Sequence, residues 1–164
     1  MALDTTVGGA SADSYITDAE YQAYWLDRGV VLSAVTTNEA DLRKAADWLD
    51  RSYNFAGYKA TGTQRRAWPR VTTILVDGYT VSSTVIPQDI KDAQAELANL
   101  IRGGLNPAAT IDGTLASESV RAGPVASTKT YQGGKSSPRL VAIEGLLAPY
   151  TGGGSAGQVR LQRG

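Results

Sequence analysis

The chain is predicted to be mainly α: a small bundle of about four helices carrying one or two β-hairpins and an extended C-terminal arm. Three observations point there. Three stretches place apolar residues at helical spacing between clear start and stop signals. Short alternating runs flank turn-forming residues between those stretches. The last fourteen residues, 151–164, hold five glycines, two arginines and no acid, too little apolar surface to bury a core.

The first helix begins at the capping box Thr17-Asp18-Ala19-Glu20, in which Thr17 caps the chain and Glu20 reaches back. Tyr21, Tyr24 and Trp25 then share a face, and Gly29 is the expected stop. The second helix starts at Thr36 or Thr37 and runs through Leu42, Ala45, Ala46, Leu49 and Tyr53. Trp48 falls off that stripe, so it covers a second element or faces outward. Pro87, suited to a first helical position, opens the third helix. Ile90, Ala93, Leu97 and Ile101 form its buried face, Asp89 and Asp92 favour its positive end, and Gly103-Gly104 ends it. A shorter fourth helix is expected within 140–147, closed by Pro149.

Between helices two and three, 72–76 and 79–85 read as extended around the turn Asp77-Gly78. A second hairpin is expected from 117–121 and 125–131 around Ala122-Gly123-Pro124, followed by a flexible stretch at 133–137. No internal repeat is visible. The expected organisation is a helical domain over 1–150 with hairpin insertions, then a flexible arm over 151–164.

An apolar fraction of 42% suffices for a core, and sixteen basic residues balance sixteen acidic ones. The charges are segregated along the chain. Residues 1–50 carry nine acids and three bases, and 51–75 carry five bases and no acid. Residues 76–118 carry six acids and two bases, and 119–164 six bases and one acid. Such alternation suits a subunit with complementary faces; equally, folding can intermix these charges in space. With no cysteine and no histidine, disulfide scaffolds, Cys/His zinc sites, thiol nucleophiles and histidine triads are excluded. No apolar run is long enough to span a membrane. The N-terminus lacks the pattern of a signal peptide. The expectation is a soluble protein that stays in the cell that makes it or is packaged there.

The densest chemistry is Gln64-Arg65-Arg66-Ala67-Trp68-Pro69-Arg70. Read as a nucleic-acid site, Trp68 stacks on bases while Arg65, Arg66 and Arg70 contact phosphates. Read structurally, Trp68 plugs the bundle, Pro69 fixes the next turn, and the arginines pair with acids of helices one to three or anchor an interface. The second reading is preferred, since one such cluster on a neutral chain makes a poor DNA groove. The stretch 57–63 has the glycine spacing of a phosphate loop but lacks the lysine after its second glycine and has no preceding strand, so it reads as a plain loop. Asp89, Asp92 and Glu96 could place carboxylates along one helix face for a metal or for acid–base work, but a solvated face explains them better, as it does Asp47 and Asp50. The aromatic set Tyr21, Tyr24 and Trp25 reads as core rather than as a stacking surface. No catalytic or cofactor site is expected.

Several segments resemble a tailed-phage protein family. They are 12–17 with Ala19-Glu20 and Tyr24, and 42–50, which is similar to the family's LRxATDYLD helix. Further matches are Gln64 with Trp68-Pro69-Arg70, Asp77-Gly78, Ile86-Pro87 with Ala93, Glu96, Leu97 and Ala98, and 146–150. Trp48 stands where the family pattern more often has Tyr. The ordered resemblance runs from about residue 11 to 150. The family often carries the description DnaT-like single-stranded-DNA-binding protein, yet its members resemble head–tail connector, or adaptor, subunits. The resemblance implies a twelve-fold ring under the portal, bound to the portal protein, to itself and to a downstream neck or tail protein. It also implies non-specific contact with packaged DNA and location in the virion neck after assembly in the host cytoplasm. No membrane partner and no cofactor are implied. On this reading Val159, Arg160, Leu161 and Arg163 form the portal-binding arm, and Arg65, Arg66, Trp68 and Arg70 face an interface or DNA. The alternative is a single-stranded-DNA-binding accessory protein for phage replication that depends on Trp68 and Arg66. A weaker third is an enzyme using carboxylates and a divalent metal.

Overall fold

Among the described residues four α-helices are formed, and each starts or stops where side-chain chemistry allows. The computed structural model describes residues 2–32, 35–107, 114–121, 126–132 and 140–152. Helix α1 (Asp18–Leu26) opens on the expected capping box: Thr17 Oγ1 accepts from the Glu20 amide at 3.1 Å, and Glu20 Oε2 accepts from the Thr17 amide at 2.7 Å. Helix α2 (Val35–Ser52) begins slightly earlier than its threonines indicate. Leu42, Ala45, Ala46 and Leu49 are fully buried along it. Helix α3 (Gln88–Arg102) takes Pro87 as its N-cap rather than its first residue, and Pro87 offers its carbonyl to the Ile90 amide at 3.1 Å. Its buried face is wider than the apolar stripe, because Gln94, Ala95 and Ala98 join Ile90, Ala93 and Leu97. Helix α4 (Val141–Leu147) buries Ile143 and Leu147 and runs into a 3₁₀ turn, Ala148–Tyr150, that contains Pro149.

The chain forms two compact units. The first holds residues 1–105 and 141–164, and the second holds 106–140. In the first, α2 packs along α3, α3 also supports α4, and the shorter α1 lies against both α2 and α3. After α2 come two short hairpins. Strand β1 (Tyr58–Lys59) pairs antiparallel with β2 (Arg70–Val71), a pairing the sequence did not announce. Strands β3 (Leu75–Val76) and β4 (Tyr79–Thr80) pair around Asp77-Gly78 as expected, although each has only two residues. Asp77 and Gly78 both have positive φ, 52° and 85°, the combination that suits the right-handed twist of a two-residue hairpin. Tyr150 and Gly152 run beside residues 54–56, in the stretch between α2 and β1. The Tyr150 carbonyl accepts from the Ala56 amide at 2.9 Å, the Gly152 amide donates to the Asn54 carbonyl at 3.2 Å, and Thr151 bridges Phe55. The first two residues assigned to the arm are thus tied to the body.

The second unit contains the expected second hairpin. Strand β5 (Thr114–Arg121) pairs antiparallel with β6 (Ala126–Gln132), with a register shift between Leu115 and Ser117. Its turn at 122–124, the stretch 133–137 and the arm residues Val159, Arg160, Leu161 and Arg163 lie outside the described residues. Among the described residues no helix is long and apolar enough to cross a membrane.

Candidate functional site

The segment from Gln64 to Arg70 lies beside residues 9–15 and the last turns of α2. Its side chains divide. Arg66, Trp68 and Gln64 are buried, Arg70 is half-buried, and Arg65 is exposed. The four residues expected to share an interface or DNA-facing surface therefore do not form one surface.

Arg66 is enclosed by acceptors. Its Nη1 lies 2.7 Å from Asp47 Oδ1 and 3.4 Å from Asp50 Oδ2, both on α2. Its Nε donates to the Ala12 carbonyl at 3.2 Å and its Nη2 to the Asp13 carbonyl at 2.6 Å. A guanidinium suits this position because its fixed fork of donors serves several acceptors at once. Arg70 closes a second set of acceptors, donating to the carbonyls of Phe55 (3.0 Å), Ala56 (2.9 Å), Gly57 (2.6 Å) and Ala67 (3.3 Å). Burial depresses its pKa, while Tyr15 and Asp50 pull it back. Pairing of arginine with helical acids thus holds for Arg66; Arg70 satisfies backbone carbonyls instead.

Trp68 sits in a run of aromatic rings joining three parts of the unit. Its ring meets Phe55 edge-on at 5.7 Å and Tyr150 at 5.6 Å, and Tyr53 links Phe55 to Trp48. The Trp68–Pro69 bond is cis. Trp48, off the stripe of α2, covers Tyr53 at 5.6 Å rather than facing water alone. A Trp68 side chain this enclosed cannot stack on a base.

Three further residues organise the site, Tyr15 and Asp13 from the stretch 12–17 that carries the family resemblance and Gln94 from α3. Tyr15 is buried, its hydroxyl bonded to Asp50 and accepting from the amides of Ala67 (3.1 Å) and Trp68 (3.4 Å). Burial and then the Asp50 charge push its pKa well up, and burial also raises that of Asp50 against the pull of Tyr15 and Arg66. Gln94 accepts from the Tyr15 amide at 2.9 Å and donates to Ser14 Oγ (2.7 Å) and the Leu42 carbonyl (2.9 Å), locking α3 to α2. Asp13 takes Arg43 at 2.6 Å. A polar residue at a helical core position was the available signal for Gln94; Tyr15 lay in the stretch 12–17 that carries the family resemblance, which gave it no role.

The remaining sequence candidates are scattered among separate partners. Asp89 accepts from Tyr150 at 2.7 Å, Glu96 from Tyr24 at 2.8 Å and Asp92 from Gln88 at 2.7 Å. Among the described residues no group of acids is arranged to hold a metal ion. Tyr21 is buried, its pKa pushed up to about 12 by burial with Arg102 pulling it back. Trp25 donates to the Ala95 carbonyl at 3.3 Å, so the α1 aromatics dock α1 onto α3. The glycine-spaced stretch 57–63 is a strand and turn in which Lys59 Nζ bonds the carbonyls of Gln64 (3.1 Å) and Arg65 (3.0 Å).

Neither the curated proteins nor the solved structures contain a match to the chain. Its whole length, residues 1–164, matches a family whose description is "Putative DnaT-like ssDNA binding protein". This chain belongs to that DnaT-like family.

Proposed function

We propose that the protein is a non-enzymatic structural subunit working through protein–protein contacts, and specifically a head–tail connector of a tailed-phage virion. It would form a ring under the portal and join the DNA-filled capsid to the tail. The observation that carries this reading is the enclosure of Arg66 and Trp68. The residues a strand binder would use for phosphates and bases are spent on holding the domain together. Large apolar side chains are exposed as well, among them Leu26, Val31, Leu75, Tyr79, Val85 and Val141, which partner proteins would cover. Residues 1–105 hold thirteen acids and ten bases, which opposes a polyanion. Basic residues predominate in 119–164, where Arg160 and Arg163 with Val159 and Leu161 are assigned to portal docking.

The family description favours a second reading, binding of single-stranded DNA. With Trp68 inside, that activity needs other residues. Tyr58 and Tyr79, 67% and 79% exposed, would supply the stacking faces, and Lys59 and Arg65 the charge.

One comparison separates the two. Quantitative mass spectrometry of purified virions should find this chain at the copy number of the portal protein. Absence from virions, together with salt-sensitive binding of the full chain to oligonucleotides, would overturn the connector reading and establish the second.

A further inference from the structure

We propose that the groove between α1 and α3 receives a second copy of this chain, which inserts its basic corner of Tyr58, Lys59 and Arg65. The inference rests on the connector reading and adds to it the two faces that meet.

The donor corner is what the fold leaves over from the basic segment. Residues 51–75 carry five bases and no acid. Arg66 and Arg70 are used inside, leaving Arg51, Lys59 and Arg65 exposed. Lys59 is held beside Arg65 by its bonds to the Gln64 and Arg65 carbonyls, which leave its charge uncancelled. Among the described residues the Arg65 side chain has no anionic partner. Tyr58, next in the chain and paired with Val71 across the ladder, supplies an exposed ring.

The receiving groove encloses about 410 Å³. Its wall carries Glu20, Asp27 and Asp92 against the two cations Arg28 and Lys91. Lys91 pairs with Glu20 at 2.9 Å, and Arg28 lies 3.4 Å over the Tyr24 ring while donating to the Tyr24 carbonyl at 2.9 Å. Asp92 receives the Gln88 amide, and among the described residues the Asp27 carboxylate has no partner. Asp27 is the exposed C-cap of α1, and the guanidinium of Arg28 already sits at that helix end through its bond to the Tyr24 carbonyl. The wall thus holds three carboxylates against two cations, a net negative charge that a cation arriving from outside offsets. Ala23 and Ala95, small residues in the same wall, leave space for a ring. The two faces share no residue, so the contact is heterologous and repeats head to tail, closing into a ring when its rotation allows.

Sedimentation velocity of the full chain tests this. The wild type should associate with concentration, less so as salt screens the contact. Arg65→Glu and Asp27→Lys should each weaken association by about tenfold or more, since each sets like charges face to face. Combining R65E and D27K in one chain should restore it, because the reversed charges then oppose each other again. Both side chains are exposed, and thermal melts confirm that the variants fold. A wild type that stays monomeric at low salt, single variants that associate normally, or a double variant weaker than either single variant would each overturn the proposal. Loss of oligonucleotide binding in R65E with unchanged self-association would overturn it too, assigning the corner to DNA. Virions that contain the chain at portal copy number, with association insensitive to both reversals, would sink these faces and keep the connector. The predicted reversal pattern in a chain absent from virions would do the opposite.

Discussion

Arg66 and Asp47 lie 2.7 Å apart, with only 4% of the arginine side chain exposed against 38% of the aspartate's. The ion pair therefore has a dry end and a wet end. The dry end matters more for stability, because the same guanidinium also serves Asp50 and two backbone carbonyls from the N-terminal segment.

Arg66→Ala should lower stability by about 3–5 kcal/mol, the usual cost of breaking a buried pair and stranding its partner. Asp47→Ala should cost less, because its carboxylate is partly solvated and Asp50 remains for the arginine. Denaturant unfolding of the two variants gives the comparison, and equal losses would refute this asymmetry.

Trp68→Ala should cost about 3–5 kcal/mol as a large-to-small change in a packed aromatic cluster. Trp68→Phe should cost much less. It keeps the edge-on contacts with Phe55 and Tyr150 and removes a buried indole N–H that has no hydrogen-bond partner among the described residues. Melting temperatures of both variants are the check. A Phe variant as unstable as the Ala variant would mean that the indole makes a bond absent from this structure.

Gly57→Ala should destabilise the β1–β2 corner. Gly57 has φ +75°, and an added Cβ would meet the Val71 carbonyl oxygen well inside contact distance. The strain, of the order of 1–3 kcal/mol, should come with displacement of the Gly57 carbonyl from Arg70. Gly62→Ala is the control, as no neighbour lies within 4 Å of its added Cβ. Amide exchange of Tyr58–Lys59 should rise in the first variant and stay unchanged in the second.

Glu20 links stability to acid pH. Burial raises its pKa, but the Thr17 amide, the Lys91 ammonium and the Thr17 hydroxyl together outweigh that and hold it below the ordinary 4.5. Because the folded value is the lower one, the stabilisation is full above about 4.5 and is lost as pH falls through the folded value. Glu20→Gln should therefore be less stable than wild type near neutrality, with the difference shrinking below pH 4.5. Urea midpoints across that range measure it, and a constant difference would exclude the linkage.

Much of the bundle was legible because its signals are local. The capping box at Thr17, the stripe Leu42-Ala45-Ala46-Leu49 and the turn Asp77-Gly78 each depend on residues a few positions apart. The β1–β2 pairing was not legible. Its strands are two residues each, too short for alternation to show, and the Arg70 side chain ties β2 to the Gly57 carbonyl just before β1. The bond between Gln94 and Tyr15 escaped for a related reason, since the two partners lie 79 residues apart in the chain.

The Arg–Trp segment divides most clearly. By itself the sequence determined that arginines and an indole would be concentrated within seven positions and that no thiol or imidazole chemistry was available. Whether those side chains turned outward to a ligand or inward to the core was decided by tertiary structure alone. An isolated Arg or Trp satisfies either environment, and the outcome depends on what acceptors and rings the rest of the chain brings within reach. Here Asp47, Asp50, the Ala12 and Asp13 carbonyls, Phe55 and Tyr150 converge on the segment from distant positions. They enclose Arg66 and Trp68 and leave Arg65 in water.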